Sequence, residues 1–282
     1  MTPEISVEGR GEAAVAEDRV ISAFDAAAPA FERHRTLPDA VPPAIRAAVL
    51  AALGEPSPRL LDLGAGTGRF GRPFIAAGDA YVGIDLAFAM LHEFAAFTAT
   101  GRSAPSLAQA DGERLPFPDA TFDAVLMIQV FGGMRGWRRV LDEARRVLRR
   151  SGALVLGRSV APAHGVDARL REQLALILGE LGVARQAKNM REDAQQWLAA
   201  QASRSTYVVA ATWSAERTAR AFIDRHRTGA RFSALPDAIK DTALRHLADR
   251  AVATFGTLDA GTREQHSFEL RIFQFAPGDA HA

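Results

Sequence analysis

The nine residues Leu60-Leu61-Asp62-Leu63-Gly64-Ala65-Gly66-Thr67-Gly68 constrain this chain more than any other stretch. The leucine-rich run of residues 59–63, which carries Asp62, leads directly into glycines at every second position. That reads as a buried strand that turns sharply, with small residues letting the backbone approach a ligand closely. A helix follows to about Ala77, with Pro73 tolerated near its first turn and Gly78 as its C-terminal cap. Asp85 lies 21 residues past Gly64, at the end of the next apolar run, residues 80–85. Adjacent parallel strands bring such a carboxylate beside the glycine turn, where it can accept hydrogen bonds from both hydroxyls of a ribose. The dinucleotide pattern G-x-G-x-x-G would need its last glycine at position 69, which is Arg69. The spacing here is G-x-G-x-G, and Asp62 two residues ahead suits an ammonium better than a pyrophosphate. A tight turn without a ligand is the competing reading.

Apolar strand-like runs then alternate with helical periodicity, as in a parallel sheet covered on both faces. Strands are predicted at 106–110, 122–128 and 153–157, and helices at 87–99 and 137–149. In the latter, Val140, Leu141, Ala144, Val147 and Leu148 form one apolar face. Residues 20–53 are helical in pattern, broken near Pro38 and Pro42-Pro43. Residues 165–200 read as mostly helical, 205–211 and 266–275 as strands, and 214–225 and 236–253 as helices. Three parts are expected: an N-terminal helical cap (1–53), a core (54–160), and the rest of the sheet (161–282) with a helical insert at about 213–255.

Composition removes several function classes. The 282 residues include no cysteine, so disulfides, thiolate metal sites and cysteine nucleophiles are excluded. The net charge of +1 gives no strong field for nucleic acid or acidic lipid. No apolar run reaches the roughly 20 residues of a membrane span, and the polar start of the chain is unlike a secretory signal. A cytoplasmic monomer or homodimer is expected. The seven histidines are scattered without metal-ligand spacing, so no metal site is expected.

LLDLGAGTGRF resembles the first motif of class I S-adenosylmethionine (SAM)-dependent methyltransferases, and YVGIDLAFAML the stretch ending in their ribose-binding acid. AQADGERLPFPDATFDAVLM is similar to the segment that holds adenine, and RRVLDEARRVLRRSGALVLG to the helix and strand that close the core. The resemblance covers about residues 20–160 and lies nearest the quinone-biosynthesis-type branch, methyltransferase type 11. It implies an α/β, Rossmann-like fold: a seven-stranded, mostly parallel sheet with an antiparallel last strand and a helical lid. It implies SAM as cofactor. Gly64, Ala65, Gly66 and Gly68 would hold the methionine half and Asp85 the ribose. Leu86 and Met90 would lie on the adenine face, although plain core packing is an equal reading for Met90. Asp111 would accept from the adenine amino group, Gly112 would donate to a ring nitrogen, and Gln129 would lie near the methionine end or the transferable methyl. In such a fold Phe24, Phe31 and Arg35 resemble a segment that closes over SAM.

The chain departs from the pattern after its fourth strand. Relatives often carry histidine there, and this chain has Phe131-Gly132-Gly133-Met134. No catalytic residue is therefore assigned, and catalysis by positioning a small-molecule acceptor is the expectation. His164 is a substrate-facing candidate, while His92 and the arginines of 135–150 read as solvated surface. Trp197, Trp213, Phe222 and Phe232 either line an acceptor pocket or fill the insert's own core. Two other classes stand as alternatives. One is a SAM-fold protein without methyl transfer, cyclase-like or a binder. The other is a protein or nucleic-acid methyltransferase, disfavoured by MIQVF after the fourth strand where base methylators carry N/D-P-P-aromatic.

Overall fold

The computed structural model describes residues 25, 28, 37–98, 105–131, 134, 136–183, 190–227, 232 and 235–276. Its elements run α1 (Val41–Leu53), β1 (Leu60–Leu63), α2 (Arg72–Ala77), β2 (Tyr81–Asp85), α3 (Phe88–Thr98), β3 (Ser106–Gln109), β4 (Phe122–Ile128), α4 (Trp137–Val147), β5 (Leu148–Val160), α5 (Val166–Glu180), α6 (Met190–Gln201), β6 (Arg204–Arg217), α7 (Ala219–Arg227), α8 (Asp237–Phe255) and β7 (Thr262–Gln274). The seven strands form one sheet in the order β3-β2-β1-β4-β5-β7-β6. β1 to β5 are parallel, and β7 runs antiparallel to both β5 and β6. The strand order reverses at β1, between β2 and β4, and such a switch point opens a crevice at the carboxyl ends of the strands.

Two apolar layers cover the sheet. On one face Leu61, Leu63, Val125, Met127, Leu154 and Leu156 meet Val140, Leu141 and Ala144 of α4 and Leu198 of α6. On the other, Leu60, Ala124, Leu126, Val155 and Ile272 meet Val41, Ile45 and Val49 of α1 and Phe74 and Phe94 of the helices beside β2. Strands with both faces covered are near-continuously apolar, which is why RLLDL and FDAVLMI stood out. A third cluster belongs to the helical insert itself, where Leu170, Leu174 and Ile177 of α5 pack on Phe222 of α7, Phe232, and Leu244 and Leu247 of α8.

Three boundaries differ from the expectations. Pro42 and Pro43 do not break a helix; they occupy the first turn of α1, whose orphan N–H groups make proline harmless there. β5 begins at Leu148, directly after α4, instead of at 153. β6 runs for 14 residues to Arg217, through a stretch whose Ala, Glu and Arg favour helix. The cause is pairing: β6 and β7 continue from Trp213↔His266 to Arg217↔Thr262 as a ribbon beyond the end of β5, where Val160 pairs with Ser267. Ladder bonds and one half-buried face override local propensity.

Candidate functional site

β1 delivers the glycine turn to the crevice. Gly64, Gly66 and Gly68 all have positive φ, at 81°, 56° and 80°. Two of them are also hemmed in: a Cβ at Gly64 would stand 2.5 Å from Val130 Cγ1, and one at Gly68 2.1 Å from the Phe94 ring. Gly66 differs, because nothing lies within 4 Å of an added Cβ. The turn thus presents open space at its middle glycine, next to an acid. Asp85 Oδ2 accepts from the Gly66 N–H at 2.9 Å, and Oδ1 accepts from the Ala87 N–H at 2.9 Å. Burial raises the Asp85 carboxyl above its ordinary range, while these backbone donors hold it down. Each carboxylate oxygen keeps a second lone pair for an incoming hydroxyl.

Asp62 lies below the turn, only 3% exposed, with Oδ2 accepting from the Tyr81 hydroxyl at 2.6 Å. Burial pushes its carboxyl up to about 7; the Tyr81 hydrogen bond counters the rise and the Asp85 charge adds to it. Tyr81 is itself held between Phe74 and Phe94, with ring centroids 5.9 and 6.2 Å away.

The residues expected on the adenine side line the neighbouring strand ends. Leu86 is exposed at 36%, and its carbonyl accepts from Gln109 Nε2. Met90 is 2% exposed and packs with Ala28 and Ala87, so its side chain serves the core of this corner. Asp111 Oδ1 accepts from the Glu113 N–H at 2.8 Å, and Gly112 faces Leu63 and Val140. This loop is fastened from below. Arg146 donates to the Phe117 and Leu115 carbonyls and to Glu143 and Asp119, while Glu143 accepts from the Leu115 N–H. Arg146 therefore is not part of a plain solvated face. The signal for it was weak, since one arginine among many carries no pattern.

Gln129, just past β4, takes a left-handed conformation with φ 59°. Its Oε1 accepts from Arg69 Nη2 and its Nε2 donates to Ser159 Oγ, both at 2.8 Å. One side chain thus ties the glycine turn to the carboxyl ends of β4 and β5. Asp25 is a residue that sequence reasoning missed. Its Oδ1 accepts from the Ala89 N–H at the start of α3, and its charge reaches Asp85. A lone acid among alanines, outside any motif, gave no signal. Phe24, Phe31, Arg35, His34, Gly132, Gly133 and His281 lie outside the described residues.

The remaining candidates divide. His164 is exposed in the turn after β5, and His92 is exposed on α3. His266 is buried and stacks on Trp213 at 5.7 Å, and burial above all lowers its pKa. Phe222 and Phe232 fill the insert's own core, and Trp197 meets Trp137 edge-on at 6.1 Å.

A mostly parallel sheet with a glycine turn and an acid at its switch point is the arrangement of a Rossmann-like α/β protein. Residues 61–156 match the model of the methyltransferase-domain family. Over 118 residues the chain is 35% identical to a demethylmenaquinone methyltransferase of Streptomyces griseus, covering 39% of this chain and 47% of that one. Over 104 residues it is 36% identical to a malonyl-[acyl-carrier protein] O-methyltransferase of Methylococcus capsulatus, covering 36% and 38%. The chain spans about half the length of the curated relatives it matches. The solved YcgJ protein of Bacillus subtilis shares the fold with a TM-score of 0.53 at 22% identity, covering 82% of this chain and 98% of that one. No helix among the described residues is long and apolar enough to cross a membrane.

Proposed function

We propose that the chain binds SAM in the crevice at β1 and β2 and transfers its methyl group to a small-molecule acceptor at the ends of β4 and β5. The observation that carries this reading is the pairing of Asp85 with the open middle glycine, Gly66. The residues fit the cofactor. A buried acid with spare lone pairs suits a ribose diol, the open turn suits the methionine half, and an incoming ammonium would hold the Asp62 carboxyl, two residues before the turn, in its ionised form. Leu86, Asp111 and Gly112 border the adenine side, and Met90 supports them from the core. On this reading α7 and α8 of the helical insert roof the acceptor side. The relatives' names, a quinone and an acyl-carrier methyltransferase, support a metabolite acceptor.

Bound SAM supplies a sulfonium methyl that is already strongly electrophilic. The protein's part is to orient the acceptor and exclude water, which can contribute roughly 7–11 kcal/mol to lowering a barrier. Gln129, fixed at both ends, positions and does not take a proton.

Asp85→Ala should weaken SAM binding by about ten- to hundredfold, the loss of a charge-assisted hydrogen bond. Calorimetric titration checks this, and an unchanged Kd would remove the cofactor assignment. Formation of S-adenosylhomocysteine in a cell extract separates methyl transfer from binding alone. His164→Ala and His266→Ala should each cost less than about tenfold in kcat, below the usual range for a general base. A loss of a hundredfold or more with normal SAM affinity would identify that imidazole as the base.

A further inference from the structure

Arg191, in the first turn of α6, is a half-buried cation without an ion pair among the described residues. Its Nη1 is buried without a hydrogen-bond partner. The guanidinium lies over the Phe131 ring, 5.5 Å from the centroid. Burial pushes its pKa down to about 10, and the charge of Arg158 pushes the same way, so it remains a cation at neutral pH. Arg158 is already engaged, donating to Glu269 at 3.0 and 3.2 Å. Phe131 stands two residues beyond Gln129, and Arg158 directly precedes Ser159, the residue that holds Gln129. The guanidinium therefore sits near the carboxyl ends of β4 and β5, over the buried ring of Phe131.

A buried unpaired charge is costly to a fold, and its natural complement is an anion that arrives with a ligand. Since Glu269 pairs with Arg158, Arg191 is the guanidinium left to meet a ligand there, and a single guanidinium suits a monoanion better than a phosphate dianion. We infer that Arg191 recognises a carboxylate on the methyl acceptor, an acid with an apolar body. This inference rests on the methyl-transfer reading for the word acceptor, while the anion site itself stands on Arg191 alone.

The test titrates acetate, benzoate and octanoate, each against its primary amide, with and without S-adenosylhomocysteine, into wild type, R191K and R191M. R191Q serves as a second charge-free variant if R191M does not fold. At least one acid should bind wild type about tenfold or more tightly than its amide, as one charge-assisted hydrogen bond provides. That preference should fall below about threefold in the charge-free variant and survive in part in R191K, with S-adenosylhomocysteine affinity unchanged. No preference for any acid, or a preference that survives loss of the charge, would overturn the proposal. If S-adenosylhomocysteine binds no variant while the acid preference follows Arg191, the anion site is upheld and the methyl-transfer reading falls.

Discussion

Gly68→Ala should destabilise the protein by about 2–5 kcal/mol. Two costs add. A left-handed conformation costs a non-glycine residue roughly 1–2 kcal/mol, and φ at Gly68 is 80°. The new methyl would also stand 2.1 Å from the ring of Phe94. That ring is fully buried and touches Tyr81 edge-on, so it has nowhere to retreat. Overpacking of this kind costs typically about 1–3 kcal/mol. Gly66→Ala is the internal comparison. It shares the positive φ, at 56°, but meets nothing within 4 Å, so only the conformational cost of about 1–2 kcal/mol applies. Urea denaturation of both variants measures the difference. Equal losses would mean that the Phe94 contact does not set the geometry of the turn.

Asp62→Asn should change the pH dependence of stability by an amount of the order of 4 kcal/mol. The native carboxyl sits at about 7 against an ordinary value of 3.8, chiefly because it is buried. The native state therefore holds a proton that the unfolded state releases. Between about pH 4 and pH 7 the native form binds more protons, so wild-type stability falls as pH rises through that window. Roughly three pKa units at 1.36 kcal/mol each set the magnitude. Asparagine has no proton to lose, so the wild-type-minus-variant difference should slope downward from pH 4 to 7 and flatten on either side. Tyr81→Phe removes the donor that holds Asp62 down, and should move the window to higher pH. Parallel pH profiles for wild type and Asp62→Asn would show that the buried pair does not titrate there.

The sequence by itself determined the core. Strands buried on both faces must be apolar throughout, so β1, β2 and β4 were legible with their lengths. The spacing of Gly64, Gly66 and Gly68 and the acid at Asp85 placed the crevice, because a positive φ and a strand-end carboxylate are local demands. Tertiary structure alone decided the rest. Residues 214–217 are strand because β7 offers partners that propensity cannot see. Met90 became core and Phe222 fills the insert because burial depends on which helix arrives opposite. Arg146 and Gln129 act through bonds that span about thirty residues or more, and no local pattern announces such a partner. Arg191 is the clearest case: an arginine in a helical stretch reads as solvated surface, and only the fold shows it half-buried over Phe131 with its buried Nη1 unpaired. Local spacing specifies backbone turns and strand faces, whereas the environment of a charge is set by everything packed around it, which exists only once the chain has closed.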